Sequence, residues 1–163
     1  MSYVIEKLAS LGVDLDSTQT ESTINLGLPE IVFNVVKHYE HYIYFEKPIV
    51  FQPNYKSGLE GKDGTLPLEL LWGQNEGKYN ILSANTQLKN LEADSDLFSI
   101  GLSYSSNHVC ISLSDGSICL STNGEAESRF KLFDSATEFF RALHVEDNNK
   151  NTKLDGIKSN LRF

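Results

Sequence analysis

The sequence is short of basic residues and of cysteine, and each shortage excludes a class of site. There are 14 Lys and Arg residues against 22 Asp and Glu residues, which gives a formal net charge of -8. Nucleic acid phosphates and anionic membranes attract clusters of positive charge, so we expect neither as a partner. The only two cysteines have no neighbouring Cys or His motif and make a poor metal site.

Long apolar runs and targeting signals are also missing. Residues 1–12 show no basic region followed by an apolar run and a cleavage site, so we expect no signal peptide. No stretch approaches the roughly 18 apolar residues of a membrane span, and no Asn-x-Ser/Thr sequon occurs. These features predict a cytoplasmic protein. The length of 163 residues fits one domain, which we predict over residues 1–145, with residues 146–163 as a polar extension.

Motifs for catalysis and cofactor binding are absent as well. The chain has no Gly-x-Ser-x-Gly, and the glycine-rich stretch 58–64 lacks the Gly-Lys-Ser/Thr ending of a phosphate loop. His38 and His41 share one face of a predicted helix without a third ligand, which favours surface or half-buried histidines. We therefore predict no catalytic residue, no cofactor and no metal. Catalytic groups from distant segments would leave no motif, so a small hydrolase or ligand-binding enzyme stays an alternative.

The order of predicted elements indicates an α+β fold. Apolar spacing predicts a helix ending before Gly12 and a second helix that opens at Leu28-Pro29 and continues to Ile43. A run of strands follows, and the capping box at Ser135 begins a last helix. The predicted strands are Leu66–Trp72, Lys78–Leu82 and Leu97–Leu102, followed by a hairpin. Ile49–Phe51 is a short apolar run, and 83–96 is a polar connection with room for one helical turn near Leu88–Leu91. Helices at both ends of an antiparallel sheet are typical of this class.

The pair Asp115-Gly116 predicts a hairpin between strands 109–114 and 117–122. Counting outward from a two-residue turn pairs Ile111 with Leu120. Cys110 and Cys119 then become diagonal neighbours, too far apart for a disulfide. One face of the hairpin is apolar and the other is half polar, which predicts a sheet covered on one side.

Six residues are candidates for binding a partner. Trp72, Glu76 and Tyr79 lie in one aromatic and polar segment, and aromatic side chains are favoured at interface hot spots. A core position for Trp72 is the competing interpretation. Glu92, Asp94 and Asp96 form an acidic cluster that suits either a binding surface or a solvated loop.

The order of motifs resembles the SUKH superfamily, which includes fungal regulators of cell-wall assembly and glucan synthesis and many bacterial immunity proteins. The similarity rests on Leu28-Pro29 before a helix, on Phe98-Ser-Ile-Gly101, on the strand pair turning at Asp115-Gly116, and on the helix after Ser135. Ala136 departs from the aromatic that the family often has after the serine. The resemblance implies a curved antiparallel sheet with flanking helices at the N- and C-terminal ends, and no cofactor.

In bacteria, the resemblance implies a non-enzymatic protein that neutralises a toxin by binding it. A basic toxin domain would suit the acidic charge of this chain. A regulatory scaffold of the cell-wall assembly type is the second hypothesis. The sequence leaves open whether the chain is a monomer or a homodimer.

Overall fold

The computed structural model describes residues 3–14, 27–75, 77–122 and 129–146. In these ranges, four α-helices and seven β-strands follow one another, with a short 3-10 turn at Tyr104–Ser106 between β3 and β4. In order they are α1 (Tyr3–Ser10), α2 (Glu30–Val36), β1 (Ile43–Phe51), β2 (Leu66–Leu71), α3 (Ile81–Asn90), β3 (Leu97–Leu102), β4 (His108–Ser112), β5 (Ile118–Ser121), β6 (Arg129–Phe133), α4 (Ala136–Ala142) and β7 (His144–Val145).

All seven strands belong to one antiparallel sheet with the order β6-β5-β4-β3-β2-β1-β7. The sheet curls into a half-barrel, which brings the chain just after β1 into contact with the far edge strand β6. The backbone N–H groups of Asn54 and Tyr55 both donate to the carbonyl of Leu132, at 3.0 and 3.2 Å. The predicted α+β class, with an antiparallel, curved sheet and helices toward both ends, is confirmed.

Aromatic side chains fill the concave side of the half-barrel. The ring centroids of Phe51, Phe133 and Phe139 lie 5.3 to 5.9 Å apart, in tilted or edge-to-face arrangements. Phe140 continues the cluster toward α1, where its ring meets Tyr3 at 6.3 Å. Burial of these large rings on β1, β6 and α4 therefore joins the two ends of the sheet through the core.

The second helix is shorter than predicted. The apolar spacing predicts a helix to Ile43, but α2 ends at Val36 and Ile43 begins β1. The buried side chain of Gln74 donates to the carbonyls of Val36 and Tyr39, at 2.8 and 2.9 Å. Because these bonds satisfy carbonyls at the end of the helix, the chain can turn here without exposing them.

The strand predicted over Lys78–Leu82 is wrong, and so is the polar connection over 83–96, because α3 occupies much of this region. The Asn80 side chain accepts hydrogen bonds from the backbone N–H groups of Leu82 and Ser83, at 2.9 and 3.1 Å. An asparagine N-cap of this kind favours helix over strand. The buried residues Ile81, Ala84 and Leu88 follow at helical spacing.

The predicted hairpin exists, but its register is wrong by two residues. Ile111 pairs with Ile118 and not with Leu120, and Cys110 pairs directly with Cys119. A two-residue type I′ turn needs positive φ at both central residues, whereas of Asp115 and Gly116 only the glycine has it. The connection is therefore a four-residue loop over 113–116, closed by a 2.8 Å bond from Ser112 N to Ser117 O.

Both faces of β4 and β5 are buried, so the prediction of a sheet covered on one side is wrong there. Val109, Ile111, Ile118 and Leu120 face the main core, as predicted. On the opposite face, Leu88 of α3 packs with Leu97 and with the two cysteines, which are free thiols. The sheet therefore carries a helix over part of its second face.

The two edges of the sheet were not predicted. Strand β6 follows directly on residues 123–128, which lie outside the described part of the chain, and β7 contains only two residues. The serine cap before α4 is confirmed, since the Ser135 side chain accepts from Glu138 N at 3.2 Å; the Glu138 carboxylate accepts from Asp134 N at 3.1 Å and not from Ser135 N as a full capping box would have it. The predicted extension over 146–163 lies outside the described residues after Glu146. No helix in the described ranges has the length and apolarity to cross a membrane.

A large bulge interrupts β1. Tyr44 pairs with Leu70 and Ile49 pairs with Leu68, so that residues 45–48 all stand opposite Glu69. Charged residues, proline and bulges are the usual means by which proteins prevent edge strands from pairing with other chains. The sequence Glu46-Lys47-Pro48 in this bulge supplies all three, and it displaces the strand from its neighbour.

We predict that Gly101→Ala destabilises the fold by about 1–3 kcal/mol, the usual cost of overpacking a dense interior. A Cβ atom at this position would collide with the backbone carbonyl oxygen of Leu70 and lie 3.2 Å from Leu71 Cδ2. Urea denaturation measures the change. Gly61→Ala is the matched control, because a Cβ atom at this position would lie 3.5 Å from its nearest neighbour, Asp63 Oδ1. The free energy of unfolding of this variant should change by no more than about 1 kcal/mol. Equal losses in the two variants would contradict this account of β3.

Candidate functional site

The first group of predicted binding residues lies just after β2 and is partly in the core. Trp72 is only 5% exposed, and its ring centroid is 6.3 Å from that of the half-buried Tyr79. Tyr79 also meets Tyr42 edge-to-face at 4.9 Å, and the Lys78 ammonium lies 4.7 Å above its ring. Glu76 lies outside the described residues. Trp72 thus has the core position that the sequence allowed, and Tyr42 with Tyr79 forms the accessible aromatic surface.

Two of the predicted acidic residues form an ion-paired cluster with Arg129. Its guanidinium is 3.0 Å from both Asp94 Oδ2 and Asp96 Oδ2. Asp96 also accepts from Ser112 Oγ at 2.6 Å and from Ser114 N at 2.8 Å. The hydrogen bond from Ser112, with those from Arg129 and Ser114, holds the pKa of Asp96 below its usual range. These contacts fix the loop between β4 and β5 to the start of β3.

The predicted binding residues do not form one connected group. Glu92 is exposed and has a positive φ of 58°. Among the described residues, no ring contact, ion pair or hydrogen bond links Glu92 or the Arg129 cluster to Tyr79. Nor do any three His, Cys, Asp or Glu residues of the described ranges gather closely enough to hold a metal ion.

A buried polar network that the sequence did not predict joins Trp72 to the centre of the sheet. The Ser99 hydroxyl accepts a hydrogen bond from Trp72 Nε1 at 2.8 Å and lies 2.7 Å from His108 Nδ1. The Asn85 side chain of α3 accepts from Ser99 N at 2.7 Å and donates to Ser99 O at 2.9 Å. A Ser–His pair can serve as nucleophile and base. Here Ser99 is fully buried and engaged by the indole, which gives the pair a structural role.

An open groove lies beside the bulge of β1, and we name it the β1 groove. Its volume is about 700 Å³. The residues that line it come from the bulge, from β2, from the loop before β2, from the 3-10 turn and from the end of β7; they are Tyr44–Val50, Leu59, Gly61, Asp63, Thr65, Pro67–Glu69, Tyr104 and Glu146. None of them was among the six predicted residues.

One wall of the β1 groove is a loop that its own hydrogen bonds hold in shape. The Glu60 carboxylate accepts from Ser57 N at 2.6 Å and from Gly58 N at 2.9 Å. Although partial burial acts in the opposite direction, these bonds from Ser57 and Gly58 lower the pKa of Glu60. The Tyr104 hydroxyl donates to the carbonyl of Leu59 at 3.1 Å and ties the loop to the 3-10 turn. The wall is therefore preorganised.

The opposite side of the β1 groove is the bulge itself. Tyr44 is 65% exposed, which is unusual for so large an aromatic side chain. Glu146 N donates to Pro48 O at 2.9 Å, so the chain after β7 fastens the far end of the bulge. Val50 and its cross-strand partner Pro67 lie between the two sides. An apolar floor thus lies between polar rims, the usual composition of a recognition site.

The charge of the β1 groove is mainly negative. Four of its lining residues carry carboxylates, and Lys47 is the one cation among the lining residues. Glu46 and Glu69 are exposed and form no ion pair with any described residue. One sequence motif could have indicated this site, since Glu46-Lys47-Pro48 between apolar runs is typical of an edge or bulged strand. The motif was not recognised because a helix was predicted up to Ile43.

Comparison with known proteins finds no matching protein-family model, no similar curated protein and no similar solved structure.

We predict that Ser99→Ala lowers the free energy of unfolding by about 1–3 kcal/mol, because the buried Trp72 N–H loses its acceptor. Urea denaturation followed by tryptophan fluorescence measures both the stability and the environment of the indole. Ser83→Ala is the matched control, since Ser83 is exposed on α3 and its side chain makes no described hydrogen bond. A Ser99 variant as stable as this control would contradict the structural role of the network.

Stability should also depend on the protonation of His108. Burial lowers the pKa of His108 from its ordinary value of 6.5. The unfolded chain therefore binds this proton more readily, so stability is greatest above pH 6.5 and falls as the pH drops from there through the folded pKa.

Urea midpoints between about pH 7.5 and 5.5 test this, since ordinary carboxylates titrate below that range. His108→Gln should reduce the dependence of the urea midpoint on pH. His144→Gln, at an exposed position, should leave that dependence unchanged. The same slope in all three proteins would exclude His108 as its source.

Proposed function

We propose that this chain is a non-enzymatic protein-binding domain of the SUKH kind, and that it acts in the cytoplasm as an immunity protein that neutralises a toxin by binding it. The observation that carries the proposal is the β1 groove, where Tyr44 is 65% exposed and where Glu46 and Glu69 form no ion pair with a described residue. Tyrosine supplies large contact area with little loss of conformational entropy, which is why it is enriched at interface hot spots.

The overall charge supports the same function. A net charge of -8 raises the rate at which a positively charged partner is captured, because long-range attraction steers the encounter. Toxins that act on nucleic acids need basic surfaces for their substrate. An acidic protein that covers such a surface would block the substrate without any chemistry of its own.

The shape of the β1 groove also suits binding to a preformed surface. The loop over 57–65 is held by its own hydrogen bonds, and Tyr104 connects it to the 3-10 turn. Little ordering entropy is then lost when a partner docks. Tyr42, which is 41% exposed and adjoins Tyr79, extends the aromatic surface beyond the groove.

The test is co-expression of this chain with the toxin domain that its native genome encodes beside it. Cells should survive only when the chain is present, and the two proteins should co-purify with the toxin covalently unchanged. Tyr44→Ala should weaken binding by at least about thirtyfold, which corresponds to the usual hot-spot threshold of about 2 kcal/mol.

Tyr55→Ala is the matched control for that experiment, since Tyr55 is also an exposed tyrosine, at 43%, but bonds to Asp134, outside the β1 groove. Its affinity should equal that of the unmodified chain. Loss of protection without loss of binding, or a toxin that is chemically altered by this chain, would overturn the proposal.

A further inference from the structure

We infer that the β1 groove receives an extended segment of the partner protein that carries Lys and Arg side chains. This inference rests on the proposed function and names the part of the partner that is recognised. Three independent features of the groove support it: a stretch of β1 without partner residues in the described strands, an excess of negative charge, and exposed tyrosine rings.

The backbone of the bulge is the feature that favours an extended segment. Phe45, Glu46 and Lys47 have no partner residue in β2, because the ladder resumes only at Ile49. Strand β7 pairs with Ile49 and Val50 alone, and the bond from Glu146 N reaches Pro48 and no further. An extended peptide can use such backbone N–H and C=O groups for strand addition.

The charge favours a basic segment. Glu69 lies opposite the bulge, and Glu46 lies within it, so carboxylates are present on both strands that border the groove. Neither is neutralised by an ion pair with a described residue. A Lys or Arg side chain placed between them would be attracted from both sides, whereas an acidic segment would be repelled.

The tyrosine rings can bind the same side chains through their faces. Tyr44 and Tyr104 line the groove and keep part of their rings accessible. The chain already forms this kind of contact elsewhere, since Lys131 lies 4.9 Å above the Tyr55 ring. Cations over aromatic faces contribute most when other contacts exclude water, and the apolar side chains of Val50 and Pro67 line the same groove and can contribute to that exclusion once a segment is bound.

The test uses two libraries of short linear peptides that are identical except at three alternating positions. One library has Lys or Arg at these positions and the other has Glu, while the remaining positions are randomised. Binding of the full chain is screened on both libraries, and the tightest basic peptide is then measured by fluorescence anisotropy at about 50 and about 300 mM salt, on either side of the ionic strength where screening becomes strong.

The decisive comparison is between two double variants with the same change in net charge. Glu46→Gln with Glu69→Gln should weaken peptide binding by about three- to tenfold, as expected for two exposed charge contacts. Glu6→Gln with Glu30→Gln removes two exposed carboxylates outside the groove and should keep the affinity within about twofold. Backbone amide shifts in NMR spectra should change at residues 44–50 and 67–69, apart from Pro48 and Pro67, which have no amide proton.

Several outcomes would overturn the inference. In the library screen, these are an acidic library that binds as tightly as the basic one and the absence of any binder in either library. In the later measurements, they are equal losses of affinity in the two double variants, NMR shifts confined to residues outside the groove, and free arginine that binds as tightly as the peptide. The last would indicate a small cationic ligand. If the affinity for a toxin that the unmodified chain neutralises is unchanged after the Glu46 and Glu69 changes, the inference fails and the proposed function stands. If basic peptides bind the groove but no toxin is neutralised, the proposed function fails.

Discussion

The register change between β1 and β2 is the constraint on which the arrangement of this protein depends. Four residues of β1 stand opposite Glu69, so one strand must leave the plane of the ladder. This displacement bends the sheet at its edge, where β7 can pair with only two residues of β1. It also opens the space that the 57–65 loop borders, next to Tyr44, which is the last paired residue before the bulge and is 65% exposed. One irregularity in backbone pairing thus produces an edge and a groove, with an exposed aromatic ring beside them.

The remainder of the sheet is held rigid by contacts on both faces. Phe51, Phe133 and Phe139 join the two ends of the curl on the concave side. On the other side, Asn85 connects α3 to the backbone of Ser99, whose hydroxyl meets Trp72 and His108. A binding surface at one edge benefits from this support, because a fixed scaffold keeps the ordering cost of association low.

Sequence reasoning succeeded where a local rule agreed with the packing. The cap at Ser135, the strand at Leu97–Leu102 and the alternation of the hairpin all have local signals, and all are found. It failed where distant residues decide the local structure. Gln74 bonds to Val36 at the end of α2, 38 residues earlier in the chain, and Asp96 bonds to Ser114 of the hairpin loop, 18 residues later. The groove escaped prediction for the same reason, since its lining comes from five separate segments.

The direct pairing of Cys110 with Cys119 has a consequence for how this protein can be studied. Both sulfur atoms lie in the interior, and burial raises the pKa of Cys110 well above its ordinary value. Alkylating reagents attack the thiolate, so they can react only after the central strands have separated. The rate of alkylation therefore reports how often the central strands of the sheet separate. The protein thus contains its own probe of local unfolding, and no added label is needed.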